Sequence, residues 1–241
     1  MEPILPKLVA DACRTLQTLA AQEDAFQKIA AAAVAALRSG GKILTCGNGG
    51  SAADAMHLAE ELVGRYKNNR KSLSAVSLNA DATLLTCIGN DYGFDQIFSR
   101  QIEGLANKND LLVCFSTSGN SPNILRALDA AKAKGVKSVA LLGKGGGQAK
   151  GRADLEIIIA NADGGRVQEA HTLILHALLD VIERDVASLT ISSSEPVADW
   201  RAAVWRQTAG AFARLLFPVI AFPPWTSYPS PARWRAADTQ M

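Results

Sequence analysis

The chain has 241 residues, 48% of them hydrophobic, with 25 lysines and arginines against 23 acidic residues and a formal net charge of +2. That length allows one large domain, or one domain with an appendage, and the apolar share is ample for a core. The near balance of charge argues against a protein that holds nucleic acid by bulk electrostatics, and no apolar run reaches the roughly 18 residues of a membrane span. The acidic start Met1-Glu2-Pro3 predicts no secretory leader. Cys13, Cys46, Cys87 and Cys114 show no C-x-x-C spacing. They read as buried, reduced thiols of a cytoplasmic protein, not as a metal site.

Residues 8–38 are helical in pattern and rich in Ala, Leu and Gln, with a possible break at Gln22-Glu23 and a stop at Ser39-Gly40-Gly41. Five short apolar runs follow, at 42–47, 72–78, 110–116, 137–143 and 155–161. Helical patterns at 52–66, 92–107, 122–134 and 166–184 separate most of them. Strands alternating with helices predict an α/β fold, a parallel sheet covered on both faces. Ligands of such sheets bind beyond the carboxyl ends of the strands.

The first strand runs into Gly47-Asn48-Gly49-Gly50, with Ser51 expected as the N-cap of the next helix. A glycine turn brings backbone amides close to a ligand, and a helix start favours an anion such as phosphate. Two turns later His57 and Glu61 share one helix face, about 6 Å apart along the axis. The plainer reading is a turn followed by a solvated His–Glu pair. Gly89-Asn90-Asp91-Tyr92-Gly93 is expected at a turn, where Asn90 and Asp91 could meet sugar hydroxyls or serve as ordinary turn residues.

A second hydroxyl-rich loop, Ser116-Thr117-Ser118-Gly119-Asn120-Ser121-Pro122, follows the third strand. Ser121 can cap the next helix and Pro122 suits its first position. Hydroxyls around a glycine turn make a nest for phosphate. In the last helix Gln168, Thr172 and His176 fall at i, i+4 and i+8 and form one slanted row. His171 lies roughly 140° round from His176 and belongs to another face.

These stretches together resemble the phosphoheptose isomerase branch of the sugar isomerase (SIS) family, from about residue 5 to residue 187. The hydroxyl loop marks SIS domains in general. The combination of His57 and Glu61 with Gln168 and His176 is narrower. The resemblance implies a three-layer, flavodoxin-like sandwich around a five-stranded parallel sheet, with N-terminal helices that help assemble a homotetramer. It implies conversion of sedoheptulose 7-phosphate to D-glycero-D-manno-heptose 7-phosphate through a cis-enediol, early in lipopolysaccharide heptose synthesis. By that likeness Asn48, Gly49, Gly50, Ser51, Glu61, Asn90, Asp91, Ser116, Thr117, Ser118, Ser121 and Gln168 contact substrate. His57, Glu61, Gln168 and His176 match the family's zinc ligands, and Glu61 and His176 its acid/base pair.

The residue types suit that chemistry. A carboxylate can take a proton from carbon, and a histidine titrating near neutrality can serve the oxygens. Glu61 bound tightly to zinc would be a poorer base. Gln168 and His176 lie about 12 Å apart along a straight helix, so one ion reaches both only if the side chains converge over Thr172 or if subunits share the site.

The composition changes sharply at the end of the chain. Trp200, Trp205, Trp225 and Trp234 and six of nine prolines lie in 196–241, and no lysine follows Lys150. Residues 188–241 are read as an atypical tail on a 1–187 domain, with a helix over 196–216 capped by Ser194 and an irregular end. A cover for a neighbouring subunit, a membrane-surface segment and the product of a frame change all fit that composition. The competing function is a non-catalytic SIS module that binds a protein partner such as a replication initiator. In those similar proteins the carboxylate after the histidine is typically missing, whereas Glu61 is present here.

Overall fold

The computed structural model describes residues 3–187; the tail over 188–241, with its expected helix and the Ser194 cap, lies outside the described residues. Two helices lead, α1 (Leu5–Gln17) and α2 (Glu23–Arg38), joined by a 3₁₀ turn at Thr18–Gln22, so the break falls where Gln22-Glu23 suggested. Then come β1 (Ile43–Gly47), α3 (Gly50–Val63), β2 (Ala75–Ser77), α4 (Ala82–Tyr92), α5 (Ser99–Leu105) and β3 (Leu111–Ser116). The described part closes with α6 (Pro122–Lys134), β4 (Lys137–Leu142), β5 (Leu155–Ile158) and α7 (Gly164–Ala187).

The five strands are all parallel, in the order β2-β1-β3-β4-β5. Every residue of β1 and β3 is buried, as expected of strands covered on both faces. Alternation divides their side chains. Ile43, Leu111, Val113 and Phe115 pack beneath α2, α3 and α7 with Ile29, Leu58 and Leu175. Leu44, Cys46, Leu112 and Cys114 pack on the other face with Phe98, Ile102 and Ile124 from the α5 and α6 side. The result is the three-layer, flavodoxin-like sandwich with leading helices, and its order reverses between β1 and β3, where ligands of such sheets bind.

Three local expectations need correction. Of the four cysteines read as buried, Cys46 and Cys114 are, in the two central strands, whereas Cys13 on α1 and Cys87 on α4 lie exposed on the outer faces of their helices. The helix expected over 92–107 is only the shorter α5, after a 3₁₀ turn at Phe94–Gln96, and it is preceded by α4, a helix the sequence pattern did not predict; Gly93 turns the chain between them at φ 93°. Asp81 caps α4 by accepting from Leu84 N at 2.9 Å, and Leu84, Leu85 and Ile88 pack inward. Asn90 and Asp91 therefore occupy the last turn of a helix and not a free turn. Likewise α3 starts one residue before Ser51, with Gly49 at the N-cap position and φ 56°, a conformation a glycine adopts freely. Ser51 sits inside the first turn and is buried.

Candidate active site

The two loops picked out from sequence meet at the reversal of strand order. β1 feeds the 48–49 turn and α3; β3, its hydrogen-bonded neighbour, feeds the 117–121 loop and α6. A reciprocal amide pair ties them together. Asn48 Nδ2 donates to Asn123 Oδ1 at 2.9 Å, and Asn123 Nδ2 donates to Asn48 Oδ1 at 2.8 Å. Asn79 does the same for the end of β1: Gly47 N donates to its Oδ1 at 3.1 Å and its Nδ2 donates to Gly47 O at 2.9 Å. Sequence reasoning missed both Asn79 and the buried Asn123. Each follows a strand or starts a helix, where an asparagine is usually a local turn or cap residue.

Between the loops lies a polar recess of about 40 Å³, lined by Asn48, Ser51, Phe115, Ser116, Thr117, Ser118 and Ser121. Some hydroxyls are engaged in shaping the loop: Ser116 Oγ accepts from Gly119 N at 3.0 Å and Ser118 Oγ from Asn120 N at 3.2 Å. Others are not. Ser121 takes the N-cap position of α6 but its side chain does not cap the helix. Its hydroxyl and that of Thr117 have no partner among the described residues. Gly119 has φ 64°, and a Cβ there would strike the Gly146 carbonyl, so the 143–150 segment braces the loop from behind.

The second half of the site is the seam between α3 and α7. Both helices follow the sheet in the same sense, and their residues meet in three steps. Gln168 lies against Gly50, where any Cβ would strike its side-chain amide. Thr172 Oγ1 stands 3.1 Å from Asp54 Oδ1 and 3.1 Å from Gln168 O, sharing one proton between them. The His176 ring meets the His57 ring edge-on, centroids 5.1 Å apart. His57 Nε2 lies 3.5 Å from Glu61 Oε1. Tyr66 stacks on His176, centroids 5.6 Å apart and the planes 15° from parallel.

The structure thus brings His57, Glu61 and His176 together from helices more than a hundred residues apart. Gln168 stays at the far end of the seam, seven residues and about 10 Å of helix from His57, beside the glycine turn. Asn90 and Asp91 line neither the recess nor the seam. They are exposed and bonded to each other, Asn90 Nδ2 to Asp91 Oδ1 at 2.8 Å. His171, as its angular position predicts, is elsewhere. It is fully buried, edge-on to Phe115 at 5.8 Å. Burial lowers its pKa to about 4, weakly opposed by the backbone at Leu142.

Asp54 was not singled out from sequence, although it falls on the His57–Glu61 face at i, i+3, i+7. It is 8% exposed, and its Oδ2 has no partner among the described residues. Burial raises its pKa, against the opposing effects of the Thr172 hydroxyl and the His57 charge. A cluster fit to hold a metal ion is present: ligand atoms of His57, Glu60 and Glu61 lie within 4.8 Å of one another. Its nitrogen and carboxylate-oxygen donors are those that zinc accepts. Glu60 is the unexpected member, exposed and carried there only by its place next to Glu61.

The model of the SIS domain matches residues 9–143. A phosphoheptose isomerase of Helicobacter pylori (strain HPAG1) is 53% identical over 151 residues, which are 63% of this chain and 79% of that protein. The phosphoheptose isomerase of Aliarcobacter butzleri (strain RM4018) is 41% identical over 184 residues, 76% of this chain and 97% of the relative. Among solved structures, the phosphoheptose isomerase GmhA from Neisseria gonorrhoeae superimposes with a TM-score of 0.70 at 38% identity, covering 75% of this chain and 97% of that one.

Proposed function

The chain belongs to the SIS-domain family, in its phosphoheptose isomerase branch, and from that premise we propose which of its own residues bind the substrate and which move its protons. The reaction is the conversion of the ketose sedoheptulose 7-phosphate to the aldose D-glycero-D-manno-heptose 7-phosphate, early in the synthesis of lipopolysaccharide heptose. The competing reading, a partner-binding module without activity, has no support among relatives 41–53% identical that are phosphoheptose isomerases.

The phosphate is held in the recess between the loops. Thr117 and Ser121 donate hydroxyl protons that no other described residue uses, Ser116 and Ser118 shape the loop, and Asn48, Gly49, Gly50 and Ser51 supply the start of α3. A helix start and free hydroxyls favour a phosphate dianion. Gln168, placed beside Gly50, reaches the sugar chain where it leaves the phosphate.

The observation that carries the chemical half is the meeting of His57, Glu61 and His176 along the helix that starts at that recess. Glu61 takes the proton from C1 of the open-chain ketose and returns one at C2 of the cis-enediol. His176 moves protons between the two oxygens. His176 is held for this between the Tyr66 face and the His57 edge. Zinc would be held by His57, Glu61 and His176, with Gln168 joining if it leaves Gly50, and when bound it would polarise the substrate's oxygens. The test is direct: purified full-length protein incubated with sedoheptulose 7-phosphate gives the aldose phosphate, and its failure to do so with zinc supplied removes this assignment.

Assembly follows the same reading. Ile4, Leu5 and Val9 are 64%, 69% and 59% exposed on the leading segment. Near them Leu16, Leu19, Phe26, Leu173 and Ile174 line an apolar cavity of about 250 Å³. Second copies of the chain cover these surfaces in a homotetramer, and light scattering that finds a fully active monomer would contradict it. Residues 1–187 form the catalytic domain and 188–241 an appendage. The protein works in the cytoplasm, in keeping with its free cysteines; among the described residues no helix is long and apolar enough to cross a membrane.

A further inference from the structure

The chain between α3 and β2 carries a buried ion pair that touches no part of the recess. Arg70 Nε meets Glu183 Oε1 at 3.0 Å, with the two side chains only 4% and 3% exposed. Glu183 does more than pair. Its Oε1 also accepts from Tyr66 N at 3.2 Å, and its Oε2 accepts from Lys67 N at 3.2 Å, Asn68 N at 3.1 Å and Asn68 Nδ2 at 3.1 Å. One carboxylate from α7 thus gathers three successive amides of the 64–74 segment. Burial alone would raise its pKa, but those amides and the guanidinium hold it below the usual carboxylate range.

Arg70 in turn closes the end of α3. Its Nη2 donates to Glu61 O at 2.6 Å and its Nη1 to Leu62 O at 2.8 Å, carbonyls a helix end leaves without intrahelical partners. The two residues therefore hold, at one point, the backbone of Glu61 and the backbone of Tyr66. Tyr66 is the residue whose ring lies on His176, and His176 is two turns before Glu183 on the same helix. Lys67 pins the outer side of the segment, its Nζ 2.7 Å from Asp180 Oδ1.

We propose that Arg70 and Glu183 are positioning residues of the isomerase reaction: they fix the Tyr66 ring on His176 and the end of α3 that carries Glu61, so that the acid/base pair keeps one geometry through the proton transfers. This rests on the assignment of Glu61 and His176 to proton transfer. A buried, fully bonded pair suits the task because its many donors leave the segment one way to lie. Proton transfer between carbon and a side chain is sensitive to displacements of about 1 Å, which can cost about 100-fold in rate.

The test compares Tyr66→Leu, Tyr66→Phe, Glu183→Gln, the Tyr66→Leu/Glu183→Gln double variant and His176→Gln, in the full chain and at matched zinc content. Tyr66→Leu and Glu183→Gln are each expected to lower kcat by about 10–100-fold, with KM changed by less than about threefold. Tyr66→Phe, which keeps the ring, restores kcat. The double variant is no slower than the slower single, because both act through the same ring. Folded Tyr66→Leu and Glu183→Gln proteins with wild-type kcat, beside an inactive His176→Gln, overturn the positioning role alone. A multiplicative double variant also overturns it, since the ion pair then acts on stability and not through Tyr66. An active His176→Gln overturns the underlying assignment and the positioning role with it. If Glu183→Gln does not fold, the split between Tyr66→Leu and Tyr66→Phe decides: equal wild-type kcat for both overturns the proposal.

Discussion

The two ends of the sheet are polar in different ways. At the amino ends of the strands the polar groups satisfy one another. Asp110 is 3% exposed and accepts from Lys42 N at 2.9 Å, Lys42 Nζ at 2.6 Å and Asn107 N at 2.7 Å. Asp154 accepts from Ser138 N at 2.7 Å and Ser138 Oγ at 2.9 Å. At the carboxyl ends the asparagine pairs are closed, but beside them sets are left open: among the described residues the Thr117 and Ser121 hydroxyls and the buried Asp54 Oδ2 of α3 have no partner. Closed sets lower the energy of the fold, whereas open ones carry a desolvation cost that only a ligand or a proton removes. On one scaffold, the first kind of polar group stabilises and the second binds and reacts.

That contrast can be broken by substitution at either end. The largest effect belongs to the carboxyl end, where His176→Gln should lower turnover by about 10²–10⁴-fold and leave the melting temperature near wild type. Rates measured beside thermal melts check this; equal losses in both would make His176 structural. At the amino end Asp110→Ala should do the reverse. It strands the Lys42 ammonium and two amides, and should cost about 3 kcal/mol of stability in urea unfolding, with kcat of the folded enzyme unchanged.

His171 carries the comparison into the core. Its pKa falls from an ordinary 6.5 to about 4 on folding, so the unfolded chain binds more protons between those values. Stability is then full above pH 6.5 and lost as pH falls toward 4, by about 3 kcal/mol from this group. Asp110 and Glu183 have lowered pKa values, so their contributions are lost only as pH falls through the carboxylate range. The difference between wild type and His171→Leu in unfolding free energy between pH 6.5 and 5 therefore isolates the histidine from the carboxylates, Asp54 with its raised pKa included, and the variant should lose that part of the pH dependence. The smallest effect sharpens the contrast within one loop. Ser121→Ala removes a donor with no internal partner and should weaken substrate binding by about 1.5–3 kcal/mol without changing stability. Ser116→Ala should do both, because Gly119 N loses its acceptor as well.

Much of this was legible in the sequence, and the reasons it was legible mark where reading stops. The parallel sheet and both loops were readable because each is a local pattern: an apolar run, a glycine or hydroxyl turn, then a helix. Ser121 was expected at a cap and takes that position, but its unbonded hydroxyl depends on the packing of the whole loop. The α4 helix was missed because Gly89, Asn90 and Asp91 carry turn chemistry, while the Asp81 cap and the inward face of Leu84, Leu85 and Ile88 outweigh it. The seam was the hardest to read. His57 and His176 showed only helical spacing, and what sets one against the other is the common direction of α3 and α7 on the sheet. Asn79, Asn123 and the Arg70–Glu183 pair act across long separations and leave no local signature, whereas Asp54 shares the His57–Glu61 face and was legible there.

The division between a binding end and a reacting seam turns on Glu61, which is tested by Glu61→Gln at matched zinc content, with substrate affinity and single-turnover rate measured on the same preparation. The account predicts affinity for sedoheptulose 7-phosphate close to wild type and a rate lower by about 10²–10⁴-fold. A folded, zinc-matched Glu61→Gln enzyme that turns over at the wild-type rate would contradict it.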